Sequence, residues 1–332
     1  MLKGELDAIF LKIDPGMVII SSFMYLEPLI LKYSYNLAPI IFKPMLPELD
    51  VLDQPGTQYN TGSIAVEEAK IRLLEAGSTT TMELVSYLES KGVVIEKMED
   101  IFAPIAEMQH IVPCPKAFEI SPSLIDENVI YLGPSVRTAN LLSEEELQAF
   151  LPKRVGKKII FASAGSQVNA YPERANRFFN TVIACMKDEA FADVSLILSA
   201  GSHAANYTDL PDNMAMFSWV PQVSLLQKVS VALIHGGMGT IKECIYYGVP
   251  TLVIPMGRDQ PDTARRVVEN KIGLSIQLED LSLAVLKENL LELLHSETIQ
   301  AETHKMMEIF RQEENAKREL DLVENALNKF EI

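Results

Sequence analysis

The sequence predicts an α/β fold of two doubly wound domains. Short apolar runs, typical of buried parallel strands, alternate along the chain with longer helical segments. Several of these runs end in glycines or polar residues, at the position where a parallel sheet holds its ligands. The length of 332 residues also exceeds the size at which one hydrophobic core stops growing. Two domains are therefore expected.

Composition narrows the class of protein. The net charge of −16 and the pI near 4.8 argue against a nucleic-acid partner, because a phosphate backbone attracts basic surfaces. The three cysteines are odd in number and widely spaced, without a C-x-x-C pair or a metal-ligand cluster. They are interpreted as reduced core residues of a cytoplasmic protein that needs no metal. No basic segment with a cleavage site opens the chain, so secretion is not expected.

The front of the chain predicts the first domain. The apolar stretch 17–42 is long enough to span a bilayer, but two charges and two prolines interrupt it. It is interpreted instead as a strand, a helix and a strand, without an integral membrane segment. Further elements are predicted by local pattern: a helix at 2–12, helices at 63–75, 81–90 and 98–108, and strands at 111–115 and 129–134. The predicted first domain is 1–134, followed by a linker at 135–156.

The predicted second domain is 157–332. It opens with a strand at 158–162 that runs into a loop containing Gly165 and Ser166, which alone is typical of an ordinary β-to-α turn. The αβ alternation then continues through a set of predicted elements: a helix at 176–187, strands at 194–199 and 273–276, and helices at 281–294 and 302–328. Neither repeats nor low-complexity tracts interrupt it.

The stretch 219–260 carries the chemistry. Ser230 to Ile234 is a short apolar run, so His235 lies at the carboxyl end of a predicted strand. Gly236, Gly237 and Gly239 then allow a tight turn into a helix predicted for 240–247. The free N–H groups and positive dipole end of that helix favour a diphosphate, with His235 and the Thr240 hydroxyl as further donors.

The next predicted strand, Thr251 to Ile254, leads to a second group of polar residues. Asp259 and Gln260 lie just past its carboxyl end, where they could bond to sugar hydroxyls. Trp219, the single Trp of the chain, lies just upstream of the central strand and could stack on a base. Together these residues indicate a nucleotide-sugar site.

Each feature also has a purely structural interpretation. Trp219 could be a core residue, because it carries a large apolar area. Thr240 and Glu243 form a T-x-x-E capping box, which explains both residues without a ligand. His235 could be a hydrogen-bonded interior His, and Asp259-Gln260-Pro261 could be only a helix start. None of these alternatives explains the joint spacing.

The stretch resembles the donor-binding signature of the family 1 UDP-glycosyltransferases. The motifs W-x-P-Q, H-G-G-x-G-T-x-x-E, G-V-P and P-x-x-x-D-Q occur here in the order and approximate spacing of that family. The resemblance covers about residues 13–310 and implies a GT-B fold, two Rossmann-like doubly wound domains facing a cleft. It implies an inverting hexosyltransferase that uses a UDP-sugar and a small, largely apolar hydroxylated acceptor.

The resemblance also implies roles for individual residues. Trp219 would stack on uracil, and Gln222 would reach the uracil or the ribose. His235, Gly237, Gly239 and Thr240 would contact the diphosphate. The remaining donor-site residues implied by the resemblance are Glu243 on the ribose, Asp259 and Gln260 on the sugar, and Gly165 and Ser166 near the phosphates.

The sequence departs from the family at its front. The strand, Gly-rich loop and catalytic His with which the family begins would precede residue 1, and no His occurs before His110. Ser21 occupies a position where the family often has an Asp that orients that His. The catalytic base is therefore unknown, and the amino-terminal domain is expected to be incomplete, as in an amino-terminally truncated product.

Three functions are compatible with these observations. The first is the glycosyltransferase itself. The second is a catalytically weak chain that binds a nucleotide sugar and needs a missing segment or a complementing subunit, with self-association of the front half. The third is a UDP-sugar 2-epimerase of the same fold, against which the W-x-P-Q to D-Q signature argues. The sequence does not specify the sugar, the acceptor, or UDP over dTDP.

Overall fold

The computed structural model describes residues 7–13, 15–24, 26–46, 78–120, 128–166, 168–170, 172–317, 320–322 and 324. The helix predicted for 63–75 lies outside these residues. The chain forms two compact units. The first contains Met1–Lys116, Ser121–Gly133 and Ala316–Ile332, and the second contains Ala117–Ile120 and Pro134–Asn315.

The units differ from a simple division along the chain. Residues 135–156, predicted as the linker, pack as part of the second unit, and residues 316–332 group with the first unit. Residues 117–120 join the second unit because two side chains anchor them there. The ring of Phe118 meets Phe310 edge to face at 6.4 Å between centroids. Glu119 pairs with Arg266 at 2.8 Å.

The first unit contains a parallel sheet of four short strands in the order β1-β2-β3-β4. The strands are β1 (Ile19–Ser21), β2 (Ile40–Phe42), β3 (His110–Val112) and β4 (Val129–Tyr131). The helices are α1 (Asp7–Ile13), α2 (Glu27–Tyr35), α3 (Ser78–Ser90) and α4 (Met98–Ala106). The stretch 17–42 is thus a strand, a helix and a strand, as the interruptions in its sequence predict. No helix among the described residues is long and apolar enough to cross a bilayer.

The second unit contains a parallel sheet of six strands. They are β5 (Lys158–Ser163), β6 (Val194–Ser199), β7 (Met214–Phe217), β8 (Val231–Ile234), β9 (Thr251–Val253) and β10 (Gly273–Ser275). Its α-helices are α5 (Glu144–Leu147), α6 (Pro172–Met186), α7 (Gln222–Leu226), α8 (Met238–Tyr246), α9 (Gln260–Glu269), α10 (Leu283–His295) and α11 (Glu297–Asn315). The helix predicted for 302–328 therefore begins earlier and ends at Asn315.

The order of this sheet, β10-β9-β8-β5-β6-β7, is that of a doubly wound dinucleotide-binding fold. The chain runs outward from β5 to β7 and then returns to place β8 on the other side of β5. The two central strands are in register, with Ser163 opposite Ile234 at their carboxyl ends. The strand order therefore reverses between β5 and β8. Doubly wound sheets bind their ligands at the carboxyl edge beside such a point.

Apolar side chains hold the two central strands in place. Ile160 and Ala162 of β5 and Val231 and Leu233 of β8 are fully buried. Strands in the middle of a parallel sheet are covered by helices on both faces, so they consist of continuous apolar runs instead of alternating patterns. The helices α6 and α10 pack against each other, as do α8 and α11. The carboxyl edge of these strands is consequently built on the buried core of the second unit.

Candidate functional site

A cavity of about 440 Å³ opens at the carboxyl edge of the second sheet, beside the junction of β5 and β8. Its walls come from the loops after four neighbouring strands and from the first turn of α8. Most of the donor-site residues predicted from the sequence line it, namely Gly165, Ser166, Trp219, Gln222, His235, Gly237, Gly239 and Thr240. The sheet order thus brings together residues that lie up to 75 positions apart in the chain.

His235 lies at the centre of this arrangement, directly after β8. Gly165 and Gly237 lie against its ring on two sides, and an added Cβ would come within 2.5 and 2.6 Å of its Nε2 atom, respectively. Burial lowers the pKa of His235 to about 4, and the backbone carbonyl of Ser163 offsets part of this effect. The imidazole is therefore neutral at physiological pH. Among the described residues its Nδ1 atom has no hydrogen-bond partner.

The glycine turn after His235 leads into α8. Gly236 has a φ of +93°, and a Cβ at this position would lie 2.7 Å from Cγ1 of Val253, so only glycine fits. Gly237 is the N-cap of α8 and forms no side-chain cap. The N–H groups of the first helical turn have no intrahelical acceptor, and this turn lines the cavity. Free N–H groups at a helix N-terminus favour the binding of an anion.

The predicted start of this helix is wrong by two residues. The helix begins at Met238 instead of Thr240, because Gly237 already adopts the extended backbone of an N-cap. Thr240 consequently lies within the first turn and cannot cap it. The capping box of Thr240 and Glu243, one structural alternative raised by the sequence, is therefore excluded, and both residues need another explanation.

Glu243 and Thr240 are instead linked to Gln222, the first residue of α7. The side-chain Nε2 of Gln222 donates one hydrogen bond to the Glu243 carboxylate and one, of 3.3 Å, to the Thr240 hydroxyl. Burial raises the pKa of Glu243, and the Gln222 hydrogen bond partly offsets the increase. The network positions a carboxylate beside the cavity, where it can accept hydrogen bonds from the hydroxyls of a ligand.

Trp219 is not a core residue. Its side chain is 69% exposed and lines both the main cavity and an adjacent groove of about 450 Å³ formed with residues 137–142 and 220–224. A large aromatic ring left in water at the rim of a cavity gains little from folding. It provides instead a flat apolar surface on which a planar ligand can stack.

Asp259 and Gln260 lie at the end of the loop that follows β9. They form the start of α9, with Asp259 as N-cap and Pro261 in the first turn. The alternative that Asp259-Gln260-Pro261 is a helix start therefore describes the local fold correctly. Gln260 lines a smaller cavity of about 40 Å³ that shares His235 and Ser166 with the main one. Its Oε1 atom accepts hydrogen bonds from the N–H groups of Met256 and Gly257, at 2.7 and 3.2 Å.

Asp259 has a different environment from Gln260. Its carboxylate does not cap the helix, although it occupies the N-cap position. Burial raises its pKa, while its own N–H group and Arg258 act in the opposite direction. A carboxylate that burial destabilises gains from any hydroxyl that donates to it.

The sequence analysis missed several lining residues. Ser163 ends β5, Ser199 ends β6 and Ser218 directly follows β7, so each adds a hydroxyl to the carboxyl edge of the sheet. Asn169 and Gly201 complete this wall. A polar residue at the end of a parallel strand was the signal that could have identified the serines. Only the strand order shows that all three strands belong beside the same cavity.

The electrostatics of the lining are unusual for an anion site. Among the described residues that line the main cavity, His235 is the sole titratable side chain. A diphosphate in this position would be met by N–H and O–H donors and by the dipole of α8, without a lysine or arginine in the wall. Within the described part of the chain, no group of three or more His, Cys, Asp or Glu residues could hold a metal ion.

His110 and Ser21 both belong to the first unit. His110 is fully buried in β3, where its Nε2 atom lies 3.1 Å from the carbonyl oxygen of Ile105. This environment is that of a structural residue within the sheet. Ser21 is the last residue of β1, and its hydroxyl accepts a hydrogen bond of 3.3 Å from the N–H group of Phe23.

Comparison with known proteins supports the resemblance to glycosyltransferases that the sequence motifs indicate. Residues 184–317 match the family model of the erythromycin biosynthesis protein CIII-like C-terminal domain. The NDP-glycosyltransferase YjiC of Bacillus licheniformis is 31% identical over 226 residues, 67% of this chain and 52% of that protein. Its namesake in Bacillus subtilis is 30% identical over 221 residues, 66% of this chain and 51% of that protein. The chain thus spans about half the length of the curated relatives it matches.

A solved structure extends the comparison to the whole fold. The calicheamicin glycosyltransferase CalG4 superposes with a TM-score of 0.75 at 20% identity, covering 100% of this chain and 78% of that one. At this identity the similarity concerns the fold, which is the GT-B fold. Together with the family model, the two Bacillus relatives and the donor-site motifs, it leads to one classification. The chain belongs to the family 1 UDP-glycosyltransferases.

Proposed function

We propose that this chain binds a UDP-sugar and transfers the sugar, with inversion, to a hydroxyl group of a small, largely apolar acceptor. One observation carries the proposal: an exposed Trp and the first turn of a helix line a single cavity of about 440 Å³, and Gln222 in its wall is hydrogen-bonded to the half-buried carboxylate of Glu243. These three elements match the three parts of a nucleoside diphosphate. The names of the Bacillus relatives, which are glycosyltransferases, support the reaction class.

Each part of the donor has a proposed site. The base stacks on Trp219, and the ribose hydroxyls bond to the carboxylate of Glu243, which Gln222 orients. The diphosphate lies against the first turn of α8 and the Gly165-Ser166 loop, with neutral His235 between them. The sugar extends toward Asp259 and Gln260.

The reaction requires two kinds of assistance. The acceptor oxygen forms a bond to the anomeric carbon while the bond from that carbon to the β-phosphate oxygen breaks on the opposite face. UDP departs with the electron pair, and the N–H groups of α8 and the serine and threonine hydroxyls stabilise its developing charge. The acceptor proton passes to a base within hydrogen-bond reach. The proposal assigns no residue of this chain to that base.

A second candidate function follows from the first unit. Ser21 is at the end of β1, where the family often has an Asp, and His110 is buried with its ring near the Ile105 carbonyl. A chain with these residues would bind the nucleotide sugar but transfer it slowly or only with a complementing subunit. The two candidates share the donor site and differ in turnover.

Two further expectations belong to the proposal. Donor binding needs no metal ion. The UDP affinity should therefore be the same in the presence of EDTA and in the presence of added Mg²⁺ or Mn²⁺.

The protein acts in the cytoplasm, because all three cysteines are buried and free and a reducing compartment preserves such thiols. Fractionation of the cells, with detection of the protein in each fraction by an antibody, would test the location.

The decisive experiment is a calorimetric titration of UDP into the protein, with transfer and hydrolysis of UDP-glucose assayed in parallel. Binding that Trp219→Ala and His235→Ala both weaken supports the donor site. Turnover with a panel of phenolic and sterol acceptors supports the transferase, whereas binding without turnover favours the second candidate. A folded protein that does not bind UDP would overturn both.

A further inference from the structure

We propose that Arg174 is a positioning residue for the sugar end of the donor site. It acts through the loop 256–258, which it clamps together with Gln260, and thereby fixes the position of Asp259. The inference rests on the proposed function, because it concerns the sugar subsite of that same donor site. Arg174 lies on α6, outside the stretch 219–260, and belongs to none of the sequence motifs of the site.

The clamp holds Met256 from two sides. Arg174 lies in the first turn of α6, and its Nη1 atom donates a hydrogen bond to the carbonyl oxygen of Met256. From the other side, the Oε1 atom of Gln260 accepts the N–H groups of Met256 and Gly257, at 2.7 and 3.2 Å. Both backbone polar groups of Met256 are therefore held by long side chains from two different helices.

The loop needs such support because its backbone is strained. Gly257 has a φ of +149°, and the non-glycine residue Arg258 has a φ of +60°. A residue with a Cβ is disfavoured in the left-handed region, because its Cβ comes too close to the following carbonyl oxygen. Conformations of this kind persist only where the surrounding structure over-determines them. The side-chain hydrogen bonds to Met256 and Gly257 supply that constraint.

The strained loop ends at Asp259, so the clamp determines where that carboxylate lies. The Asp259 carboxylate forms no helix cap, which leaves its position dependent on the backbone that precedes it. Met256, Gln260 and His235 line the same small cavity, together with Ala175, the neighbour of Arg174 in the chain. Arg174 thus supports the wall of the cavity from behind.

The chain contains a matched control for this residue. Arg177 lies on the same helix, one turn after Arg174, and its Nη2 atom donates to the carbonyl oxygens of Glu279 and Leu281 at 3.0 and 2.9 Å. It therefore holds a loop in the same way as Arg174 does. Residues 279–281 line neither of the two cavities of the site. Any general effect of losing a guanidinium from α6 should appear equally in an Arg177 variant.

The experiment compares Arg174→Gln and Arg174→Lys with Arg177→Gln. Dissociation constants are measured for UDP and for the UDP-hexose that the parent protein binds most tightly among UDP-glucose, UDP-galactose and UDP-N-acetylglucosamine. We expect Arg174→Gln to leave UDP affinity unchanged and to weaken UDP-hexose binding about tenfold, since losing one hydrogen bond to a charged group costs about 1.5–3 kcal/mol at most and about 1.4 kcal/mol is tenfold in affinity. Arg174→Lys keeps one hydrogen-bond donor, so its dissociation constant for the UDP-hexose should lie between those of the parent protein and the glutamine variant.

The outcomes separate the inference from the proposed function. Asp259→Asn should lower UDP-hexose affinity by a similar factor, and combining it with Arg174→Gln should add little, because both changes remove the same contact. Arg177→Gln should leave the ratio of the two affinities unchanged. Equal weakening of UDP and UDP-hexose by Arg174→Gln, or no change in either, would overturn the positioning role. Absence of UDP binding by the parent protein would instead overturn the donor site.

Hydrogen exchange provides a second test, because it distinguishes a local change in the loop from a general loss of stability in each variant. In either Arg174 variant, the amides of residues 256–259 should exchange faster, while those of the 163–170 loop should not change. Faster exchange throughout the second unit would mean that Arg174 only stabilises the fold, and would contradict the inference.

Discussion

Gly165 and His235 are packed against each other so closely that no side chain fits between them. A Cβ on Gly165 would lie 2.5 Å from Nε2 of His235, and Gly165 has a φ of +85°. The glycine therefore meets two requirements at once, a left-handed backbone and a close approach to the ring. The loop after β5, which the sequence marks only weakly, is thus an integral part of the site formed after β8.

This relationship predicts the effect of Gly165→Ala. The added methyl must displace the His235 ring and also occupies an unfavourable φ, so we expect a loss of at least about 2 kcal/mol in unfolding free energy. UDP affinity should fall at least tenfold. Gly201→Ala is the control, because Gly201 also lines the cavity with positive φ, but its Cβ would lie 3.4 Å from Val168. Urea unfolding and calorimetry measure both effects, and equal losses in the two variants would contradict the prediction.

Gly239→Ala should separate stability from binding. A Cβ at this position meets nothing within 4 Å, and the residue lies in the first turn of α8 facing the cavity. Alanine favours helix over glycine by up to about 1 kcal/mol, so thermal stability should be unchanged or higher. The methyl occupies space proposed for the diphosphate, and UDP affinity should drop about tenfold, which corresponds to about 1.4 kcal/mol. Unchanged UDP affinity would show that the diphosphate does not bind beside this helix.

Trp219 offers a direct optical signal, since it is the single Trp of the chain. Stacking of a base on its exposed ring should quench its fluorescence in a saturable way during a UDP titration. Trp219→Ala should leave the unfolding free energy within about 0.5 kcal/mol, as for other surface changes. It should cost about 1–3 kcal/mol of UDP binding, the usual value of one base–aromatic stack. Trp219→Phe, which keeps a ring, should lose less, and a Phe variant as weak as the Ala variant would argue against stacking.

The buried position of His235 predicts a pH dependence of stability. Its pKa is about 4 in the folded protein and near the ordinary value of 6.5 when unfolded. Below pH 6.5 the unfolded chain therefore binds more protons than the folded one, and acid destabilises the fold. The contribution is fully present above pH 6.5, declines as the pH falls toward 4, and amounts to up to about 3 kcal/mol.

The measurement compares the parent protein with His235→Asn by urea unfolding at several values between pH 7 and pH 4. The variant lacks the imidazole, so its stability should fall less steeply over this interval. Other acidic groups titrate in both proteins and cancel in the difference. Parallel curves would show that the folded protein does not suppress protonation of His235.

The ion pair of Glu119 and Arg266 predicts a large effect on the stability of the second unit. Their side chains are 2% and 1% exposed, respectively, and Glu119→Gln would remove the negative charge of Glu119 from beside a buried guanidinium. Removing one partner of such a pair costs about 3–5 kcal/mol. Asp193→Asn is the control, because the Lys157–Asp193 pair is 87% and 64% exposed and exposed pairs contribute about 1 kcal/mol or less. Similar losses in both variants, measured by urea unfolding, would contradict this.

Local features of the site could be predicted from the sequence because they depend on neighbours along the chain. The apolar run before His235 forms the buried strand β8, and the glycines after it form the tight turn into α8. The prolines and charges within residues 17–42 mark the boundaries of a strand, a helix and a strand. In each case the backbone preference or the burial of a short segment determines the structure, so a few adjacent residues suffice.

The tertiary structure decided which of these segments meet. Placing β8 beside β5, with β6 and β7 on the far side, brings Gly165 against His235 and adds Ser163, Ser199 and Ser218 to one edge. It also shows that Glu243 bonds to Gln222 instead of capping a helix. Such contacts join residues that the chain separates widely, because strand order is set by the burial of whole sheet faces. The sequence by itself therefore determined the residue types of the proposed donor site, and strand order determined its geometry.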